Sequence, residues 1–431
     1  NHEFSNRGWQ SQVAYDQVRP AQSLKVAANR AWYEYVPARV LQPTSGLDLQ
    51  QFHQPVVQDA PLTSFDTAGL SLEPNNLKAV HSLIIARDLS WGKHISLVLT
   101  DNRSYRSEPP LDGAGVAFGQ SKVPFFVPQD CLIALDAGRT FNEGQPPETI
   151  RFGSRDLPNP RRERPAGSML GAVQKDWFLK TIRESKSTWV LWGNSVGMLD
   201  LRADLANLPP DLRPNWPTEG FGVLGSHDWS AYATERAEIL RAADETGARL
   251  VSLVGDRHAF YAGTLSTELP PRPFRPVAVE FVTGSICTPT VTEAAESVLV
   301  ASNPLSAIIL NGEDDVRPAL NITLRHGVQS ALVYQRTHSK ADALAVRNPK
   351  LAPHLNFADA AGHGYSVVSA NGERLEVTFV ATPAPRSPDK STTLYHAIHR
   401  VQAWSPGETP RLSRTHGDGP AWAERFLDWE A

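Results

Sequence analysis

The stretch Ala248-Arg249-Leu250-Val251-Ser252-Leu253-Val254-Gly255-Asp256-Arg257-His258 decides how the chain is read. Leu250 to Val254 is an apolar run of strand length, stopped by a glycine. It does not alternate, so it belongs to a sheet covered on both faces. Ala231 to Thr246, just before it, has the composition and spacing of a helix. Beyond the glycine, Asp256 and His258 lie two residues apart. On an extended segment they would point to one side, with Arg257 to the other. A carboxylate and an imidazole together suit a hard or borderline metal, the carboxylate bridging two cations and the ring completing one. The alternative is structural, with Asp256 capping the next segment and His258 in the core.

The same layout recurs on both sides. Upstream, Gln174 to Glu184 predicts an amphipathic helix with Trp177, Phe178 and Ile182 inward. It leads into the strand Thr188 to Trp192, which ends in Gly193-Asn194-Ser195. Asn194 there reads first as an ordinary turn residue. Downstream, the strand Val277 to Val282 ends in Thr283-Gly284-Ser285. In open α/β sheets, ligands sit beyond the carboxyl ends of the strands. Three polar clusters could therefore meet at one place. A hairpin comes earlier, with Val80 to Ala86 as one strand, Ser90 to Lys93 as the turn and Ile95 to Leu99 as the return. It ends in Thr100-Asp101-Asn102-Arg103. Arg103 and Arg106 could clamp a phosphate, or form structural ion pairs. In His227-Asp228-Trp229, Trp229 could pack over an aryl or alkyl leaving group. Equally, Asp228 could cap a helix followed by core aromatics.

Residues 1–40 read as a loop and then a helix closed by Pro37. Residues 41–76 are mixed. The Pro-, Gly- and Arg-rich stretch 108–168 reads as a long surface insertion, or as a lid or partner surface. From about 318 the pattern alternates, in Ala331-Leu332-Val333-Tyr334, Tyr365 to Val368 and Leu375 to Val380, which predicts an antiparallel sheet. The first three residues, Asn1-His2-Glu3, combine amide, imidazole and carboxylate. That set suits the loop at the edge of a metal site, and also an ordinary surface terminus.

Bulk properties exclude several classes. The 431 residues are 41% hydrophobic and carry a formal charge of −4, so there is no electrostatic footprint for nucleic acid or an anionic membrane surface. An anionic substrate must be held by local cations. The 2 cysteines, Cys131 and Cys287, form no framework and no CxxC metal pattern. No apolar run approaches the ~20 residues of a membrane span. The start lacks Met and a leader pattern, and a processed or truncated chain is expected.

The clusters fall in an order that resembles the PhoD-like branch of the calcineurin-type metallophosphoesterases. Asn1-His2-Glu3 resembles the superfamily's Asn-His-Glu/Asp block, and Ala31 to Arg39 its A-Y-Y-E-x-x-P-x-R segment. Leu99 to Arg106 is similar to L-D-T-R-x-Y-R. Met169-Leu170-Gly171 with Gln174 and Trp177 follows M-L-G-x-x-Q-x-x-W. Trp229, Tyr232 and Arg236 fit W-x-x-Y-x-x-x-R. Gly255 to His258 resembles G-D-x-H, Glu280 to Ser285 resembles E-F-x-x-x-S, and His363-Gly364-Tyr365 the late H-G-Y. The resemblance runs from residue 1 to about 380.

It implies an α/β fold, a metallophosphoesterase-type two-sheet sandwich flanked by helices with a C-terminal antiparallel β extension. Residues 1–317 would form the core and 318–431 its β-rich remainder. It implies hydrolysis of phosphate mono- or diesters by metal-activated hydroxide. Two or three metal ions would serve, calcium and iron by resemblance, with manganese or zinc as substitutes. Asn1, Asn194, Asp256 and His258 would be ligands, and Glu3 a ligand or a carboxylate that orients one. His2 would neutralise the transition state or protonate the leaving oxygen, Arg103 would contact phosphate, and Asp228 and Trp229 would line the substrate. Two departures stand out. The family's upstream portion, with its metal-bridging Asp, is not in the sequence, so a missing N-terminal segment or chain is the expected partner. Gly193-Asn194-Ser195 also stands where relatives tend to have Asn-Gln. Relatives are often exported, which implies a periplasmic or secreted location. The rival reading is a non-catalytic fragment or subunit that serves in assembly.

Overall fold

A computed structural model of the chain describes residues 4–5, 8–11, 14–36, 52, 54–111, 126–152, 155–212, 219–225, 227–299, 305–310, 319–385 and 393–415. The N-terminal strands β1 (Phe4–Ser5), β2 (Gly8–Ser11) and β3 (Ala14–Arg19) pair in a small antiparallel sheet, and the helix Gln22–Tyr35 follows.

The centre is a seven-stranded mixed sheet. Its strands are β4 (Arg87–Trp91), β5 (Ile95–Leu99), β9 (Trp189–Asn194), β12 (Leu250–Val254), β13 (Phe260–Leu265), β14 (Ala278–Val282) and β15 (Leu355–Asp359). They run in the order β15-β13-β14-β12-β9-β5-β4. The middle four, β14, β12, β9 and β5, are mutually parallel, and the flanking strands pair antiparallel.

The non-alternating strands are buried on both faces, each by a separate core. Val190, Trp192, Leu250 and Val282 face the helices Ala172–Glu184 and Ala233–Thr246 through Phe178, Ile182, Ile239 and Leu240. Trp189, Leu191, Val279 and Phe281 face Val377, Phe379, Tyr395 and Ala397 on the other side. Those partners belong to a four-stranded antiparallel sheet of β16 (His363–Ala370), β17 (Arg374–Thr382), β18 (Tyr395–Gln402) and β19 (Leu412–Thr415). Two sheets packed face to face, with helices outside the larger one, are the architecture expected from the sequence.

Four local readings are corrected. Ahead of the helix Gln22–Tyr35, where the sequence predicts a loop, the described residues form the paired strands β1 to β3. Val80 to Ala86 is not a strand: the helix Pro74–Val80 ends there and pairing begins only at Arg87. Ala331 to Tyr334 lies in the helix Val328–Thr337. A four-residue apolar run fits either period, and the Ala331 side packs against the helical core. Where it is described, the stretch 108–168 is not a surface loop. Its strand β6 (Phe126–Pro128) joins β10 (Arg202–Ala203) and β11 (Gly222–Leu224) in a further three-stranded sheet. The helix Gln129–Ala137 buries Leu132 and Leu135, and a hairpin of β7 (Thr149–Phe152) and β8 (Arg155–Pro158) follows. Proline and glycine here shape turns within a packed layer. Among the described residues no helix is long and apolar enough to cross a membrane.

Candidate functional site

Parallel pairing brings the ends of the four middle strands to one edge. Leu99 pairs with Gly193, Asn194 with Val254, and Val254 with Val282. Thr100-Asp101-Asn102-Arg103, Asn194-Ser195, Gly255 to His258 and Thr283 to Ser285 therefore emerge side by side. The strands approach closely at Gly193, where a Cβ would come within 2.3 Å of a Leu99 methyl and force that side chain to move. The convergence read from the sequence is present, with the hairpin's end as a fourth member.

Asp256 and His258 stand at the middle of this edge, but not on an extended segment. Both have left-handed backbones, φ 64° and φ 50°. Outside glycine that conformation is uncommon and costs energy, and such outliers gather at functional sites. Two neighbours hold the loop: Thr283 donates its N–H to Val254 (2.8 Å) and Val291 donates to the His258 carbonyl (3.2 Å). The His363 ring bridges the Ser285 carbonyl and Glu293, each at 3.1 Å, and so braces the loop after β14. Arg257 turns inward, as the sequence implies, and forms a buried ion pair with Asp228. It also donates to the carbonyls of Leu224 (3.1 Å) and Leu199 (3.3 Å).

Arg103 reaches the same place from β5, with Nη2 3.4 Å from Asp256 Oδ1. Its Nη1 is buried and has no hydrogen-bond partner among the described residues. Burial and the neighbouring Arg106 lower its pKa to about 10. It remains a cation at neutral pH, with donors that Asp256 alone does not satisfy. Asp101, behind it, accepts the N–H groups of Arg103 (2.9 Å) and Ser104 (2.8 Å) and so shapes the loop. Arg106 is buried and donates to the His227 carbonyl at 3.1 Å, so of the two arginines only Arg103 is placed to meet a ligand.

Asn194 lies at the end of β9 and is buried. Its Oδ1 accepts from Asn102 Nδ2 (2.7 Å) and Trp229 Nε1 (3.2 Å), and its Nδ2 donates to Ser252 Oγ (3.3 Å). Ser252 in turn donates to Glu280 Oε2 at 2.8 Å. Glu280 also accepts the N–H groups of Met198 and Leu199, both at 2.8 Å. Burial raises its pKa, against those hydrogen bonds. Thr100 Oγ1 donates to Asn102 Oδ1 at 2.7 Å.

The substrate-lining roles read for Trp229 and Asp228 are corrected. Trp229 is fully buried, edge-on to Trp192 at 5.5 Å between ring centroids, and has no face free for a ligand. Asp228 caps the short turn Trp229–Ala231 by accepting the Ser230 N–H (2.8 Å), and burial raises its pKa despite the Arg257 pair. Here the capping alternative describes the molecule. Arg236 of the same motif is also structural, making a bidentate pair with Asp200 at 2.7 and 2.9 Å. Asn1, His2 and Glu3 lie outside the described residues. Asn102, Ser252 and Glu280 were given no role from the sequence. Glu280 carried a signal, a carboxylate in the middle of the apolar strand Ala278 to Val282.

Asp256 and His258 fit a cation in chemistry and access, since the Asp256 side chain is one-third exposed (34%) and the His258 ring is half-buried. Asn194 fits less well, because its amide oxygen already accepts three N–H groups, from Asn102, Trp229 and, at 3.4 Å, Val196. Among the described residues, no three His, Cys, Asp or Glu side chains form a set that would hold a metal.

A family model described as PhoD-like phosphatase matches residues 1–379. A solved structure titled "Structure of PhoD" aligns with 99% of this chain at a TM-score of 0.50 and 14% identity. The chain spans 56% of that structure's length, so the likeness speaks to the fold alone. No curated protein matches the chain.

Proposed function

Because the chain belongs to the PhoD-like phosphatase family, we propose that it hydrolyses phosphate esters at the edge where β5, β9, β12 and β14 end. One observation carries this placement: an arginine with an unsatisfied donor, an aspartate and a histidine, the last two on strained backbone, meet there from distant parts of the sequence.

Asp256 and His258 would hold the metal ions, together with donors from the Asn1-His2-Glu3 block. Two or three ions are proposed, calcium and iron by resemblance, with manganese or zinc able to substitute. Bound there, they would supply Lewis-acid polarisation of the phosphoryl group and an activated water. Arg103 would bind the non-bridging phosphoryl oxygens through its planar fork, exchanging its long contact to Asp256 for charge-assisted hydrogen bonds. His2 would deliver a proton to the leaving oxygen. The inward turn of Arg257 keeps a second guanidinium away from the phosphate position, so among the described arginines Arg103 alone would meet the phosphoryl group.

The test is hydrolysis of p-nitrophenyl phosphate and bis(p-nitrophenyl) phosphate by the purified chain, with and without chelator, beside Asp256→Asn. Activity that chelator removes, metal restores and the variant lacks supports the proposal. An Asp256→Asn variant as active as the parent would place the chemistry elsewhere.

A further inference from the structure

The hydrogen bonds beneath the site run in a fixed direction, and the Trp229 indole sets it. That group can only donate, so the Asn194 amide must turn its oxygen toward it, at 3.2 Å. The amide nitrogen then faces Ser252 (3.3 Å), the Ser252 oxygen must accept, and its proton goes to Glu280 (2.8 Å). On the other side Asn102 donates into the same Asn194 oxygen (2.7 Å). Asn102 follows β5, Asn194 ends β9, Ser252 is in β12 and Glu280 in β14, so one directional chain crosses all four strands whose ends carry the site.

We propose that Asn194 is the hub of this chain, a positioning residue that with Ser252 and Glu280 holds the four loops in register, and not itself a metal ligand. Both acceptor positions of its oxygen are taken, and its side chain is buried. Glu280 extends the same frame by fixing the turn at Met198 and Leu199, whose Leu199 carbonyl receives Arg257. A buried polar network satisfied at every member is stiff, and breaking one link loosens the rest. The proposal rests on the reading of this edge as catalytic.

Ser252→Ala removes one hydroxyl within a strand and changes no side chain at the cleft itself. Three measurements on the full chain decide the matter. Manganese titration calorimetry should show Asn194→Ala and Ser252→Ala weakening binding alike, by ~10–100-fold, the usual cost of losing a supporting partner. Ser252→Ala should lower kcat about tenfold while KM for p-nitrophenyl phosphate stays within about threefold. Hydrogen exchange of the Trp229 indole N–H should speed up at least about tenfold in Ser252→Ala, because its acceptor is no longer held. If Asn194→Ala loses manganese while Ser252→Ala binds it like the parent, Asn194 is a ligand and the proposal is overturned. If the parent neither binds manganese nor turns over substrate, the functional reading fails. The indole exchange still judges the chain, and unchanged protection in Ser252→Ala would refute it.

Discussion

Arg103 Nη2 stands 3.4 Å from Asp256 Oδ1, joining the loop after β5 to the loop after β12 across 153 positions of sequence. The contact is long and partly open to solvent, with side-chain exposures of 16% and 34%, so it adds at most about 1 kcal/mol to stability. The proposed phosphate role gives the guanidinium a second partner at this edge. Arg103→Ala should raise KM for p-nitrophenyl phosphate about ten- to a hundredfold with little change in melting temperature. Arg103→Lys should recover only part of that, because the planar fork is lost. An unchanged KM in Arg103→Ala would remove the phosphate role.

The left-handed backbone at His258 (φ 50°) separates stability from activity. His258→Gly and His258→Ala should both abolish turnover. His258→Gly should be the more stable of the two by about 1 kcal/mol, since glycine adopts this conformation without strain. Equal urea midpoints for the two would show that no strain is held there.

His2→Ala should lower turnover by ~10²-fold or more if the ring protonates the leaving group. The loss should be smaller for p-nitrophenyl phosphate than for an alkyl ester, whose leaving oxygen needs the proton more. A variant as fast as the parent on both esters would rule the proton role out.

Arg236 and Asp200 form an interior bidentate pair, supported by Gln129 at 3.0 Å. Arg236 and its hydrogen bonds outweigh burial and hold Asp200 at a pKa of about 2. Because that value is depressed, the pair's contribution is complete above pH ~4 and is lost only as pH falls through about 2. Arg236→Met leaves the carboxylate buried and unpaired and should cost about 3–5 kcal/mol. Adding Asp200→Leu should restore a good part of it. A double variant as unstable as the single one would contradict this account.

His399 lies fully buried against Phe281, Phe357 and Phe379, with centroids 6.0, 5.2 and 4.9 Å away, and neither ring nitrogen has a hydrogen-bond partner among the described residues. Burial lowers its pKa to about 3, while the unfolded ring takes a proton near pH 6.5. Stability is therefore fully kept above pH ~6.5 and falls by up to ~1.4 kcal/mol per pH unit as pH drops toward 3. His399→Leu should raise stability by about 1–3 kcal/mol at neutral pH by removing two unsatisfied groups, and should flatten the acid limb. Parallel curves of urea midpoint against pH for parent and variant would show that His399 is not its source.

By itself the sequence determined the sheet and the edge that matters. Apolar runs without alternation that follow a helical stretch read as strands covered on both faces, and each of these runs stops at glycine and polar residues. That was enough to mark Asp256, His258 and Arg103, while Asn194 reads as a turn residue until the family resemblance raises it; Arg257 does point away, though from a segment that is not extended. Short runs misled where one pattern serves two structures, as at Val80 to Ala86 and Ala331 to Tyr334. Only the tertiary structure decided which polar residues face a ligand and which support one. Trp229 and Asp228 look like substrate contacts in sequence, yet one is sealed against Trp192 and Asn194 and the other is joined to Arg257. Asn102, Asn194, Ser252 and Glu280 form a chain only because parallel pairing lays their strands side by side, over sequence separations of 92, 58 and 28 residues. Residue type and spacing fix local structure through short-range sterics and burial. The partner of a buried polar group is fixed by which strands pair, and that is a property of the whole fold.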